Sequence, residues 1–174
     1  MWLSLLLPKR SPNRGSKPRA DRRPTTRFRP RLEALEDRRL PSQVGLTVTS
    51  LADSGPGTLR AAILSADAGS QKDQFTIGFA VKGTIDLQTP LPDLNNSIAI
   101  QGPGASSLTI MRDSAFVFTS AIITVDAGQT ASLSGLTVAN GNNLLVAGLG
   151  GNGGGIRNFG VLTVSGCTLS GNTT

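Results

Sequence analysis

Along residues 44–174 apolar and small polar residues alternate in short runs, and only one stretch carries apolar positions at helical spacing. Two runs share one design: ASLSGLTVANG (Ala131 to Gly141) and LTVSGCTLSGN (Leu162 to Asn172), each broken by a central glycine and set 31 residues apart. Ser134/Ser165, Gly135/Gly166 and Thr137/Thr168 are identical between them, and the rest agree in residue class. Two Gly/Ser/Thr-rich strands can look alike by chance. The earlier segment IAIQGPGASSLTI (Ile98 to Ile110) repeats the scheme with a longer Gly/Pro/Ser turn at Gly102 to Ser107, which argues for a genuine repeat. A period of this length marks solenoids, in which each unit buries its apolar face only against the next.

Further β-rich runs lie at Phe75 to Phe79, Thr84 to Leu87, Ile122 to Val125 and Leu162 to Val164, with Gly, Asn, Ser and Pro between them. The expected fold is all-β, a solenoid of stacked parallel strands in roughly four coils. An antiparallel sandwich is the alternative, since alternating strands and Gly-rich turns also suit it. The helical exception follows Val44 to Thr49 and the break Asp53-Ser54-Gly55-Pro56-Gly57. Thr58 is the expected N-cap, Leu59, Ala62, Ile63 and Ala66 form one apolar face, Arg60 points away, and Gly69 closes the C-terminal end. A helix at about 57–67 would roof the first coil, whose apolar end otherwise has no neighbour.

Charge divides the chain. Residues 1–43 hold 12 Lys and Arg against 4 Asp and Glu, whereas residues 44–174 hold 5 against 7, so the net +6 belongs to a basic, Pro/Arg-rich leader. Such a segment repels itself and is expected to be disordered. The body has no basic stripe and no Tyr, so nucleic acid is not an expected partner. The apolar run Trp2 to Leu7 is too short to span a bilayer, and it precedes the basic residues instead of following them as in an ordinary signal peptide. Arg29 to Ser42 (RPRLEALEDRRLPS) sets Leu32, Leu35 and Leu40 opposite Glu33, Glu36 and Asp37 on a short helix at 31–40. This segment resembles the "LExLEDR" stretch ahead of exported domains in surface and secreted proteins of planctomycete-type bacteria, which implies an extracellular or cell-surface location; a linker helix is the alternative.

The stretch TVTSLADSGPGTLRAAILSAD resembles the opening of bacterial right-handed parallel β-helix proteins of the pectate-lyase-like architecture. Asp53, Gly55, Gly57, Leu59, Arg60, Ala62, Ile63 and Ala66 fit that opening, with Thr58 where Ser is common. The likeness continues through Gly83 to Ile110 and Gly153 to Thr174. The resemblance implies a right-handed parallel β-helix fold and admits polysaccharide lyases and glycoside hydrolases.

The candidate chemistry is sparse. Hydrolysis of a glycoside needs two facing carboxylates, and Asp53, Asp67, Asp73, Asp86, Asp93, Asp113 and Asp126 are never adjacent or at equivalent places in successive coils. A lyase would want an Asp cluster holding Ca²⁺ beside a base, and Arg60, Arg112, Arg157, Lys72 and Lys82 are the cations available. Arg112, Asp113 and Arg157 read as surface groups. Phe75, Phe79, Phe116, Phe118 and Phe159 are the body's aromatics, few for sugar stacking. GLGGNG (Gly148 to Gly153) matches a dinucleotide-loop pattern without opening a helix and reads as a turn, while GGNGGGIRN (Gly150 to Asn158) lacks the Asp of calcium-binding nonapeptides. Asn95-Asn96-Ser97 and Asn172-Thr173-Thr174 match the glycosylation sequon.

With no His and a single Cys, Ser-His-Asp and Cys-His catalysis and His- or Cys-paired zinc sites are excluded within the chain. Cys167 aligns with Leu136 and reads as a small inward-facing apolar residue. No catalytic, cofactor-binding or metal-binding residue is assigned, and no cofactor is expected. The reading is a non-catalytic exported protein, structural, adhesive or ligand-presenting. Its expected partners are polysaccharide or cell-surface components; the mid-coil ending at Thr174 is expected of the start of a longer protein or a truncated copy, and self-association through the open C-terminal coil is the alternative. The alternatives are a carbohydrate-active enzyme of the same architecture and an inert fragment of one.

Overall fold

The computed structural model describes residues 42–116, 120–143 and 153–174. The chain divides into two units, Met1–Asp37 and Arg38–Thr174, and every described residue lies in the second. The basic leader and its expected helix at 31–40, Phe118, and most of the glycine stretch at 148–153 fall outside the described residues.

Eleven strands and one helix follow in order: β1 (Gln43–Val48), α1 (Leu59–Asp67), β2 (Gln74–Phe79), β3 (Gly83–Leu87), β4 (Ser97–Gln101), β5 (Leu108–Arg112), β6 (Ile123–Val125), β7 (Thr130–Ser134), β8 (Thr137–Ala139), β9 (Ile156–Asn158), β10 (Val161–Ser165) and β11 (Thr168–Ser170). They form a five-stranded sheet in the order β1-β2-β4-β7-β10, a four-stranded sheet β3-β5-β8-β11 and a two-stranded sheet β6-β9. Every strand pairing is parallel. Successive turns of chain therefore pile on one another as a β-solenoid, and the antiparallel sandwich is ruled out.

Alternation decides which side chains face inward, and register lines them up. Val44, Phe75, Ile98, Ala131 and Leu162 form one inward row; Leu46, Ile77, Ile100, Leu133 and Val164 form the next. In the four-stranded sheet Ile85, Ile110, Val138 and Leu169 stack likewise. Up to β7 and β8 these rows meet Leu87, Leu91, Leu94, Ile123 and Val125 in one dry core, with Leu162 packed against it, whereas Val164 and Leu169 in the last coil stay exposed. Gly135 turns the corner between the two larger sheets at φ 60, where its N–H donates to Ser165 O and its carbonyl accepts from Gly104 N. Gly102 shows why the neighbouring corner tolerates no side chain: a Cβ there would lie 2.3 Å from Gly135 O.

α1 starts where Thr58 Oγ1 accepts the Ala61 N–H, and Gly69 N donates to Ala66 O just past its end. Leu59, Ala62, Ile63 and Ala66 are buried, whereas Leu64 on the opposite face is 54% exposed. The helix thus lays its apolar stripe on the first coil, packing against β1 and β2.

Candidate functional site

Inward rows leave outward rows of equal regularity. On the outer face of the five-stranded sheet a groove of about 360 Å³ crosses successive coils. Its amides come from Gln43, Gln74 and Gln101, its hydroxyls from Thr76, Ser97, Thr130, Ser132 and Thr163, and Ala99 leaves room at the centre. Thr76, Ala99, Ser132 and Thr163 are register partners on consecutive strands, so the groove's small floor residues follow the stacking direction. No charged side chain lines it. The arrangement can donate and accept hydrogen bonds but holds no group that titrates near neutrality, so proton transfer has no agent there. The sequence carried this signal as the polar half of each alternating run; only the register reveals that those halves converge.

Asp53 and Arg60 lie elsewhere and are engaged with each other. Arg60 Nη2 sits 2.6 Å from Asp53 Oδ1, with side-chain exposures of 16% and 12%. Arg60 also donates to Asp53 O (3.0 Å), Thr89 O (2.8 Å) and Pro90 O. Asp53 further accepts from Gln88 N (3.3 Å) and Thr89 Oγ1 (3.2 Å). The residues that carry the family-like opening therefore clasp the turn before α1 to the segment after β3. Arg60 leaves the apolar face as expected, but it is half-buried in this clasp rather than solvated.

Three of the body's acids come within electrostatic reach of one another. Leu94 bridges Val125 in parallel, which brings the chain at Asp93 alongside Thr124 on β6. Asp67, at the end of α1, feels both Asp93 and Asp126. Burial pushes the Asp67 carboxyl above its ordinary range and the two negative neighbours add to that, while the Asn95 N–H at 2.9 Å opposes it. None of these three acids lines the groove. Among the described residues no group of His, Cys, Asp and Glu is arranged to hold a metal ion.

Arg112 and Arg157 also depart from a simple surface role. Arg112 donates to Asn140 O and Phe116 O, both at 3.1 Å. Arg157 is half-buried, its guanidinium 5.2 Å from the Phe159 ring centre and its Nε buried without a hydrogen-bond partner. Strand pairing recovers only the backbone groups, and these side chains settle on whatever the neighbouring turns present. Asp113 is half-buried too, and its carboxylate accepts the Ala115 N–H at 2.9 Å. Lys72 and Lys82 are exposed.

Cys167 continues the register of β8 and β11 beside Leu136 and packs partly buried against the core. The Asn172 amide donates to Val138 O and accepts from Gly141 N, so its sequon side chain is spent inside the fold; Asn95 is exposed. Gly153 to Gly155 lead directly into β9, so the second half of the Gly150 to Asn158 stretch is strand rather than ion-binding loop. Among the described residues no helix is long and apolar enough to cross a membrane. Comparison with protein-family models, curated proteins and solved structures finds no match to this chain.

Proposed function

We propose that this chain is a non-catalytic β-solenoid, exported to the cell surface or beyond, where it acts as a structural, adhesive or ligand-presenting element. The observation that carries the reading is the uncharged groove: the cavity on the five-stranded sheet is built from amides and hydroxyls, while Asp53 and Arg60, the ion pair of the family-like motif, are consumed in holding α1. Export rests on the resemblance of Arg29 to Ser42 to segments that precede exported domains, and kinship with pectate-lyase-like proteins rests on the residues from Thr47 to Asp67. The test is direct: full-length protein is fractionated between cytoplasm, envelope and medium, and purified protein is incubated with neutral and acidic polysaccharides while reducing ends and unsaturated products are followed. Recovery outside the cytoplasm without turnover is expected.

The competing enzymatic reading has one observation in its favour, the raised Asp67 carboxyl beside Asp93 and Asp126, since a general acid needs such a shift. Turnover that Asp67→Asn abolishes would establish it and overturn the non-catalytic assignment.

A further inference from the structure

We infer that Asn95 is a covalent modification site, the acceptor of an N-linked glycan delivered by an oligosaccharyltransferase. The inference rests on the proposed export, since Asn-x-Ser/Thr acceptors meet their transferase in secreted proteins. The sequence holds two such acceptors, Asn95-Asn96-Ser97 and Asn172-Thr173-Thr174. The fold treats them oppositely. The Asn172 amide is committed at both ends, its nitrogen 3.0 Å from Val138 O and its oxygen 2.8 Å from Gly141 N, and Thr173 is bridged to Asn142 in the ladder. A transferase would have to break that local structure to reach the nitrogen.

Asn95 instead stands at a corner of the solenoid, between Leu94, which bridges Val125, and the start of β4. The corner is pinned from within. Asn96 is fully buried, its amide nitrogen 3.2 Å from Ala66 O and its amide oxygen accepting the Ser97 N–H at 3.0 Å, and the backbone bends there. Asn95 is held through its main chain, whose N–H donates to Asp67 Oδ1 at 2.9 Å and whose carbonyl accepts from the Gln71 amide at 2.8 Å. Neither bond uses its side chain, which is exposed. With Asn96 turned inward its two neighbours face out, and Ser97 lines the outer groove. The acceptor nitrogen and the hydroxyl two residues on, the pair that defines the motif, are thus presented together on a rigid bend. Asp93, two residues before Asn95, offers a carboxylate that can pair with a basic group on the enzyme, whereas the same position before Asn172 is Ser170. The step itself is a substitution at carbon: Asn95 Nδ2 bonds to the anomeric carbon of the first sugar, the bond to a lipid-linked diphosphate breaks, the diphosphate leaves with the electron pair, and one amide proton passes to a base on the enzyme.

The test incubates the folded full chain with a single-subunit bacterial oligosaccharyltransferase and a lipid diphosphate-linked oligosaccharide, and reads intact mass and peptide maps. One added glycan on Asn95 is expected, lost in Asn95→Gln and Ser97→Ala, reduced in Asp93→Ala and kept in Asn172→Gln. Asn95→Gln should melt as the parent does, which separates a lost acceptor from a lost fold. A folded chain that takes no glycan, a glycan on Asn172, modification confined to urea-unfolded chain, or modification indifferent to both Asp93 and Ser97 overturns the inference. Because the reaction is run on purified protein, its outcome is independent of location: a chain found in the cytoplasm yet modified at Asn95 in vitro would overturn export and leave the acceptor standing.

Discussion

At the scale of single residues, the motif around Asp53 acts as a fastener. Arg60 contributes a guanidinium to one carboxylate and three carbonyls, and the part-buried Asp53 acceptors would be stranded in a poorly hydrated site if the cation were removed. Arg60→Met should lower unfolding free energy by about 2–4 kcal/mol, measured by urea denaturation, and Asp53→Ala by a similar amount. The double variant should lose clearly less than the two combined, because both changes break one network. Helical spacing places Arg60 off the apolar face, yet its partners were illegible in the sequence, since two are main-chain oxygens about thirty residues downstream. Asp67 supplies a pH-dependent counterpart. Its folded carboxyl titrates above the unfolded value, so the folded state binds the extra proton and stability falls as pH rises through that interval. Asp67→Asn keeps an oxygen for the Asn95 N–H and removes the charge, so it should raise the melting temperature at pH 7. That gain should vanish as the pH drops below the ordinary carboxylate range, and a gain independent of pH would refute the assignment.

At the scale of elements, what holds a strand is its place in an inward row. Leu133 and Val164 are register partners on β7 and β10, one 1% exposed and the other 44% exposed. The same truncation should therefore cost different amounts: Leu133→Ala about 3 kcal/mol, because it opens a cavity between two packed layers, and Val164→Ala less than about 1 kcal/mol. Equal losses in urea denaturation would mean that the rows do not share one core. This pairing could be read from the sequence, because Ala131 to Gly141 and Leu162 to Asn172 keep one spacing and one central glycine, and the structure sets them strand on strand. The step from Phe75 to Ile98 is shorter than that from Ala131 to Leu162, yet the paired strands stay in register. A fixed period misses such a coil, since only the inward residues are constrained and the turns absorb the difference. The groove escaped for the opposite reason: outward residues obey no packing rule, so nothing in their order announces that they converge.

At the scale of the whole solenoid, stability is distributed along one direction. Each coil touches only the coils before and after it, so folding free energy divides into contributions within coils and contributions between neighbours. The two ends of this stack differ. Over the first coil α1 buries Leu59, Ile63 and Ala66, whereas in the last coil the inward-row residues Val164 and Leu169 are 44% and 55% exposed. Strands β10 and β11 thus gain from one neighbour what β4 and β7 gain from two. Local opening should follow that difference, since a segment with fewer buried apolar contacts unfolds without the rest. Hydrogen exchange followed by mass spectrometry should show amides of β10 and β11 exchanging first and those of β4 and β7 last, with β1 protected beyond what an uncovered end would allow. Thr58→Ala, which removes the N-cap at a cost of about 1 kcal/mol, should speed exchange in α1 and β1 while leaving β10 and β11 unchanged. If all strands instead exchange at a single rate, the coils open as one cooperative body, and the nearest-neighbour account of this solenoid fails.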